Sequence, residues 1–91
     1  VYSIKTTNKF EKDLILCIRR NYDISILNEI LIALESDGIL NSQYKPHRLK
    51  GNLKGYWECH LKPDWLLIWK IDSKLKEIVL IRCGTHSDLF G

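Results

Sequence analysis

Residues 56–83 read YWECHLKPDWLLIWKIDSKLKEIVLIRC, three largely apolar segments separated by two polar turns. Pro63 presets φ for the corner at Lys62, Pro63 and Asp64, and Asp72 to Lys76 supplies the second turn. Tyr56 to Leu61 therefore reads as one strand, Trp65 to Ile71 as a second and Glu77 to Cys83 as a third. Trp65 to Ile71 is apolar on both faces, as a central strand should be. Strands joined by short turns make an antiparallel meander, and one of its faces needs a second layer to cover it.

The residues before the meander can supply that layer. Val1 to Thr6 alternates, with Tyr2, Ile4 and Thr6 on one face, and suits a first strand whose place in the sheet the pattern leaves open. Thr7 or Asn8 can cap a helix in which Phe10, Leu14, Cys17 and Ile18 form an apolar stripe. Asp23 or Ser25 can cap a second, with Leu27, Ile30, Leu31 and Leu34 at helical spacing and Gly38 as its stop. From Ile39 to Gly55 periodicity is weak, with room for a short edge strand around Arg48 to Lys50. The expected fold is α+β in the order β-α-α-β-β-β, two N-terminal helices packed on an antiparallel sheet, forming one domain over residues 1–91.

Composition narrows the function classes. No apolar run approaches the roughly 20 residues that span a bilayer, and no secretory layout opens the chain, so a cytoplasmic protein away from membranes is expected. Cys17, Cys59 and Cys83 are odd in number and without CxxC spacing, which fits packed thiols better than disulfides or a zinc cluster. The net charge of +3 is unevenly distributed: Lys45, Arg48, Lys50 and Lys54 fall between Ile39 and Trp57 with no acid among them, leaving 10 cations against 11 acids elsewhere. A basic patch on a near-neutral body is a footprint for a polyanion such as RNA.

The chemistry-bearing residues lie outside the helices. His47 is in the basic loop, His60 is near the end of the first meander strand, and RCGTHSDLF (residues 82–90) brings Arg82, His86 and Phe90 to the exit of the last. Cleaving RNA through its own 2′-hydroxyl needs a base, an acid for the leaving 5′-oxygen and a fixed cation for the phosphorane. Two imidazoles and a guanidinium can supply all three, because histidine exchanges protons near neutrality, and no metal or cofactor is then required. Each residue also has a plainer reading. Arg82 could pair with Glu58 or Asp64, Asp64 is favoured in a turn on its own account, and Trp65 could be core. Three histidines and Asp64 could bind zinc, but no HxH or HExxH spacing is present.

HRLKG (47–51), GYWECHLKPDW (55–65) and RCGTHSDLF (82–90), with Phe10, Asp13 and Leu14 as F-x-x-D-L, closely resemble the YafQ branch of the RelE-like toxins. The resemblance covers nearly the whole chain. It implies the same fold and an endoribonuclease that cuts mRNA on the translating ribosome, restrained by a cognate antitoxin in a heterotetramer or larger complex that can bind operator DNA. The family motifs fall here on His47, His60, Asp64, Trp65, Arg82, His86 and Phe90. His86 is then expected as general acid, His60 or Asp64 as base, Arg82 as phosphorane stabiliser and His47 as a substrate-holding group. Trp65 and Phe90 would position bases, and Lys45, Arg48, Lys50 and Lys54 would bind the RNA backbone. Arg48 stands where relatives commonly have proline, and Trp57 where arginine is frequent, which bears on RNA affinity and codon preference. The alternative is a non-catalytic basic module for an acidic antitoxin or operator DNA.

Overall fold

A computed structural model describes residues Val1 to Gly91. The three expected strands form as β3 (Trp57–Lys62), β4 (Trp65–Asp72) and β5 (Glu77–Gly84). They belong to a five-stranded sheet that also holds β1 (Ser3–Thr6) and β2 (His47–Arg48), in the spatial order β1-β5-β4-β3-β2. β4 is central, and Trp65 to Trp69 are all buried. The meander and β2 are antiparallel, but β1 joins β5 in parallel, with Ser3 opposite Glu77 and Thr6 opposite Leu80. The sheet is thus mixed rather than wholly antiparallel. A parallel neighbour needs a long crossover, which the intervening helices and meander provide.

Local chemistry sets the helix limits. The Thr7 hydroxyl accepts from the Phe10 N–H at 3.0 Å to open α1 (Asn8–Arg19), and the Asp23 carboxylate accepts from the Ser25 N–H to open α2 (Ile24–Ser36). Phe10, Cys17, Leu27, Ile30 and Leu34 join Cys59, Leu61, Trp65, Leu67, Trp69, Ile78, Leu80 and Cys83 in one apolar core. Leu14 and Leu31 lie partly buried against it, whereas Ile18, expected on the same stripe, is exposed because Cys17 takes the inward position in that turn. All three cysteines are buried and unbridged.

Two departures from regularity position the site. Arg82 lies opposite Ile68 while Leu80 lies opposite Trp69, so Ile81 is an extra residue in β5. Strict alternation would keep Arg82 on the face of Ile78 and Leu80. The bulge instead turns it to the other face, because one inserted residue reverses the parity of all that follow. Further, β1 ends opposite Leu80, leaving the outer edge of β5 without a strand partner beyond that point. Residues of α1 and its cap serve that edge: the Thr7 hydroxyl donates to the Ile81 carbonyl at 3.0 Å, and Asp13 accepts from the Cys83 N–H at 3.0 Å.

Candidate active site

Register and alternation give the sheet face away from the helices a polar character. β2 sets His47 opposite Glu58, and β3 sets Glu58 opposite Ile68 and His60 opposite Leu66, so His47, Glu58 and His60 share a face with Ile68 and Arg82. His86 arrives from the end of β5. The tail expected as a loop is a short helix, α3 (His86–Phe90), closed by a capping box: the Thr85 hydroxyl accepts from the Asp88 N–H, and Asp88 accepts from the Thr85 N–H at 2.9 Å. Thr85-His86-Ser87-Asp88 carries the T-x-x-D signature of that motif, which is the signal the sequence reading passed over. Gly84 makes the turn possible, because a Cβ there would stand 2.8 Å from Asp88 Oδ2 and 3.0 Å from Asp88 Cβ.

The three imidazoles form a row. Ring centroids are 6.1 Å apart between His47 and His60, and 6.0 Å apart between His60 and His86. Each ring is tethered differently. One Asp64 oxygen accepts from the His86 backbone N–H at 2.9 Å and meets His86 Nδ1 at 2.6 Å, and these bonds hold the Asp64 carboxyl below its ordinary range. A ring that gives Nδ1–H to a carboxylate keeps Nε2 free to exchange a proton. His47 Nδ1 lies 2.8 Å from the Lys45 carbonyl, while its Nε2 lies 3.2 Å from Glu58 Oε1, a contact that is a hydrogen bond only when Nε2 also carries a proton. His60 Nδ1 is 3.4 Å from the Pro63 carbonyl and its Nε2 is 4.0 Å from the same Glu58 oxygen.

Glu58 is the site residue that sequence reasoning missed. It is 6% exposed and sits between two histidines, which a lone acid in a strand does not announce. Donor atoms of His47, Glu58 and His60 all lie within 4.8 Å of one another, a set that could hold a divalent ion. Zinc on the three histidines and Asp64 is not the set the fold assembles: Asp64 is on His86, and the carboxylate that completes a donor set is Glu58.

Arg82 pairs with neither Glu58 nor Asp64. Its Nε donates to Asp13 Oδ2 at 2.7 Å and its Nη2 to Asp13 Oδ1 at 3.2 Å, and this fork raises the guanidinium pKa. Two of its five donors are thereby used and the other three are not committed to Asp13. In the sequence Asp13 stands out only as part of F-x-x-D-L. A second fork ties α1 to α3, with Arg20 Nη1 and Nη2 donating to Asp88 at 2.6 and 3.1 Å, and it pulls the Asp88 carboxyl far below its usual range.

Trp65 stands differently from the expected base-stacking ring. It is 3% exposed, its indole N–H donates to Cys83 Sγ at 3.2 Å, and Tyr22 lies against it at 4.9 Å between centroids. Tyr22 and Trp65 line a cavity of about 290 Å³ with Asp64 and Thr85, so the ring supports that pocket from within the core. Phe90 is half exposed. The basic loop divides: Lys45 lines a cavity with His60 and Lys62, while Arg48, Lys50 and Lys54 line a separate one. Alternation within β2 makes the division, sending His47 to one face and Arg48 to the other. None of the cysteines is placed as a nucleophile, and burial, then the Glu58 charge, pushes the Cys59 thiol up to about 12.

Residues 2–91 match the family described as the bacterial toxin of type II toxin-antitoxin systems, YafQ. The chain belongs to the YafQ family. Among its relatives is the mRNA interferase toxin YafQ of Escherichia coli K12, 37% identical over 89 residues that cover 97% of this chain and 95% of the relative. Two solved structures show the fold at close range. A metal-bound toxin from Helicobacter pylori superposes with a TM-score of 0.91 at 40% identity, over 99% of this chain and 100% of that one. YafQ in the Escherichia coli DinJ-YafQ complex superposes at 0.86 with 35% identity, over 100% of both chains. No helix of this YafQ-family chain is long and apolar enough to cross a membrane.

Proposed function

We propose that this protein is the toxin of a type II toxin–antitoxin pair and an endoribonuclease that cuts mRNA on the translating ribosome. The observation that carries the reading is the imidazole row with His86 buttressed by Asp64 at 2.6 Å. With centroids 6.0 Å apart, the His60 and His86 rings are close enough for both to reach oxygens of one phosphate set beside them. His86, oriented by Asp64 through Nδ1, protonates the leaving 5′-oxygen from Nε2. His60 takes the proton of the attacking 2′-hydroxyl. With one oxygen engaged twice by His86, Asp64 serves better as a positioning group than as the base.

Arg82, presented by the Asp13 fork, offers its remaining donors to charge on the phosphorane. His47 holds or polarises the phosphate beside Glu58, Lys45 draws the strand towards His60, and Phe90 packs against a base. These groups supply acid, base and cation from side chains alone, so cleavage should persist in EDTA. Stoichiometric metal with chelator-sensitive activity would overturn that part. A divalent ion on His47, Glu58 and His60 would occupy two of the imidazoles and inhibit.

Likeness to YafQ of the DinJ-YafQ complex supports a cognate antitoxin as partner. The proposal extends to a heterotetramer or larger assembly that binds operator DNA, and to action in the cytoplasm. The experiment is to map cleavage ends in translated messages with the wild-type protein, His86→Ala and Arg82→Ala. Loss of ends in both variants is expected. Ends at wild-type rate in both would refute the site, and expression that spares growth with mRNA intact would favour the non-catalytic binding module.

A further inference from the structure

A cavity of about 530 Å³ lies at the start of β3, lined among others by Tyr2, Arg48, Lys50, Lys54, Trp57 and Ser73. Three of its ten lining residues are cations and none is acidic. None of the three takes part in an ion pair, since every pair in the molecule involves other residues. Arg48 and Trp57 are partners across β2 and β3, and the Arg48 guanidinium lies over the Trp57 ring at 5.2 Å from its centroid. The loop that carries the lysines turns at Gly51 and Gly55, with φ of +68° and +97° and open space around both. The volume falls within the roughly 300–1,000 Å³ usual for small-ligand sites.

This cavity cannot be part of the histidine row. Trp57 and Arg48 point to the opposite sheet face from Glu58, His60 and His47, and Trp57 is about 10 Å along β3 from His60 at the usual rise per residue. Three unpaired cations confined to one concavity match a backbone phosphate of RNA, while Trp57, stacked on Trp69 with ring centroids 6.2 Å apart and overlain by Arg48, is the wall that holds that guanidinium in place. An extended acidic peptide would instead call for charges spread along an edge.

We propose that this cavity is a second RNA-binding site, which anchors a backbone phosphate a few positions away from the scissile bond. The strand would reach it by crossing the sheet edge at β2, which is only two residues long. The proposal rests on the reading of RNA as substrate, but it concerns affinity and leaves the chemistry to the other face.

The test is fluorescence anisotropy with a labelled, 2′-O-methylated RNA of about 20 nucleotides, which cannot be cut, and with a trinucleotide of the same chemistry. Lys50→Ala/Lys54→Ala is expected to bind the long RNA roughly tenfold or more weakly, with the salt dependence reduced by about 0.7 per lysine removed, and to bind the trinucleotide as the wild type does. Lys50→Arg/Lys54→Arg should restore affinity, which separates lost charge from a damaged fold. Wild-type affinity and salt slope in the alanine variant would overturn the proposal. So would unchanged RNA binding combined with lost binding of the antitoxin, which would make the cavity a protein site. Because the probe is uncleavable, failure of the His86 mechanism would leave these binding results standing, and the reverse also holds.

Discussion

One oxygen of Asp64 accepts both the backbone N–H and the ring of His86, so a single carboxylate fixes where the imidazole sits and which nitrogen carries its proton. Asp64→Asn should lower kcat about tenfold or more while leaving KM near the wild-type value, measured on a cleavable RNA in single-turnover and steady-state assays. Asp88 answers to pH differently. Arg20 depresses its pKa in the folded protein, so the stability it contributes is fully present above the ordinary carboxylate pKa near 4 and is lost as pH falls through the lower folded value. Asp88→Asn should therefore melt below the wild type at pH 7, with the gap narrowing as thermal scans are carried down towards pH 2. His47, His60, Arg82 and His86 were legible as candidates because charged or titratable groups in loops and at strand ends stand out. Glu58 and Asp13 were not, since an acid reads as surface until burial and partners are seen.

At the scale of elements, α1 is fastened to the end of β5 by a side chain doing two jobs. Asp13 receives the Arg82 fork and also the Cys83 N–H, which has no strand beside it. Asp13→Ala strips both and should cost about 2–3 kcal/mol, or roughly 10 °C or more in melting temperature by calorimetry. Asp13→Asn keeps an acceptor for the amide and should cost less. The strand limits of the meander and both helix caps could be read from turn residues and apolar spacing, because those signals are local. The Ile81 bulge could not: nothing in IVLIRC marks an inserted residue, and alternation alone would set Arg82 on the opposite face. The short helix α3 had its signal in Thr85 and Asp88, overlooked because five residues carry no apolar period.

For the whole molecule, the order β1-β5-β4-β3-β2 puts the longest strands inside and the two-residue β2 at one edge. Hydrogen exchange should find the amides of β4 and β5 slowest and those of His47 and Arg48 faster by orders of magnitude, so His47 rides on the least protected strand. The α+β class was legible from pattern, while the parallel seat of β1 was not, because pairing across more than 70 residues leaves no local trace. That same separation governs when the protein becomes competent during its own synthesis. Arg82 waits for Asp13, made 69 positions earlier, and Asp88 for Arg20, made 68 earlier, so a growing polypeptide that has not yet released β5 and α3 from the ribosome holds neither fork. A half-made chain thereby lacks the geometry that the proposed cleavage on the ribosome calls for.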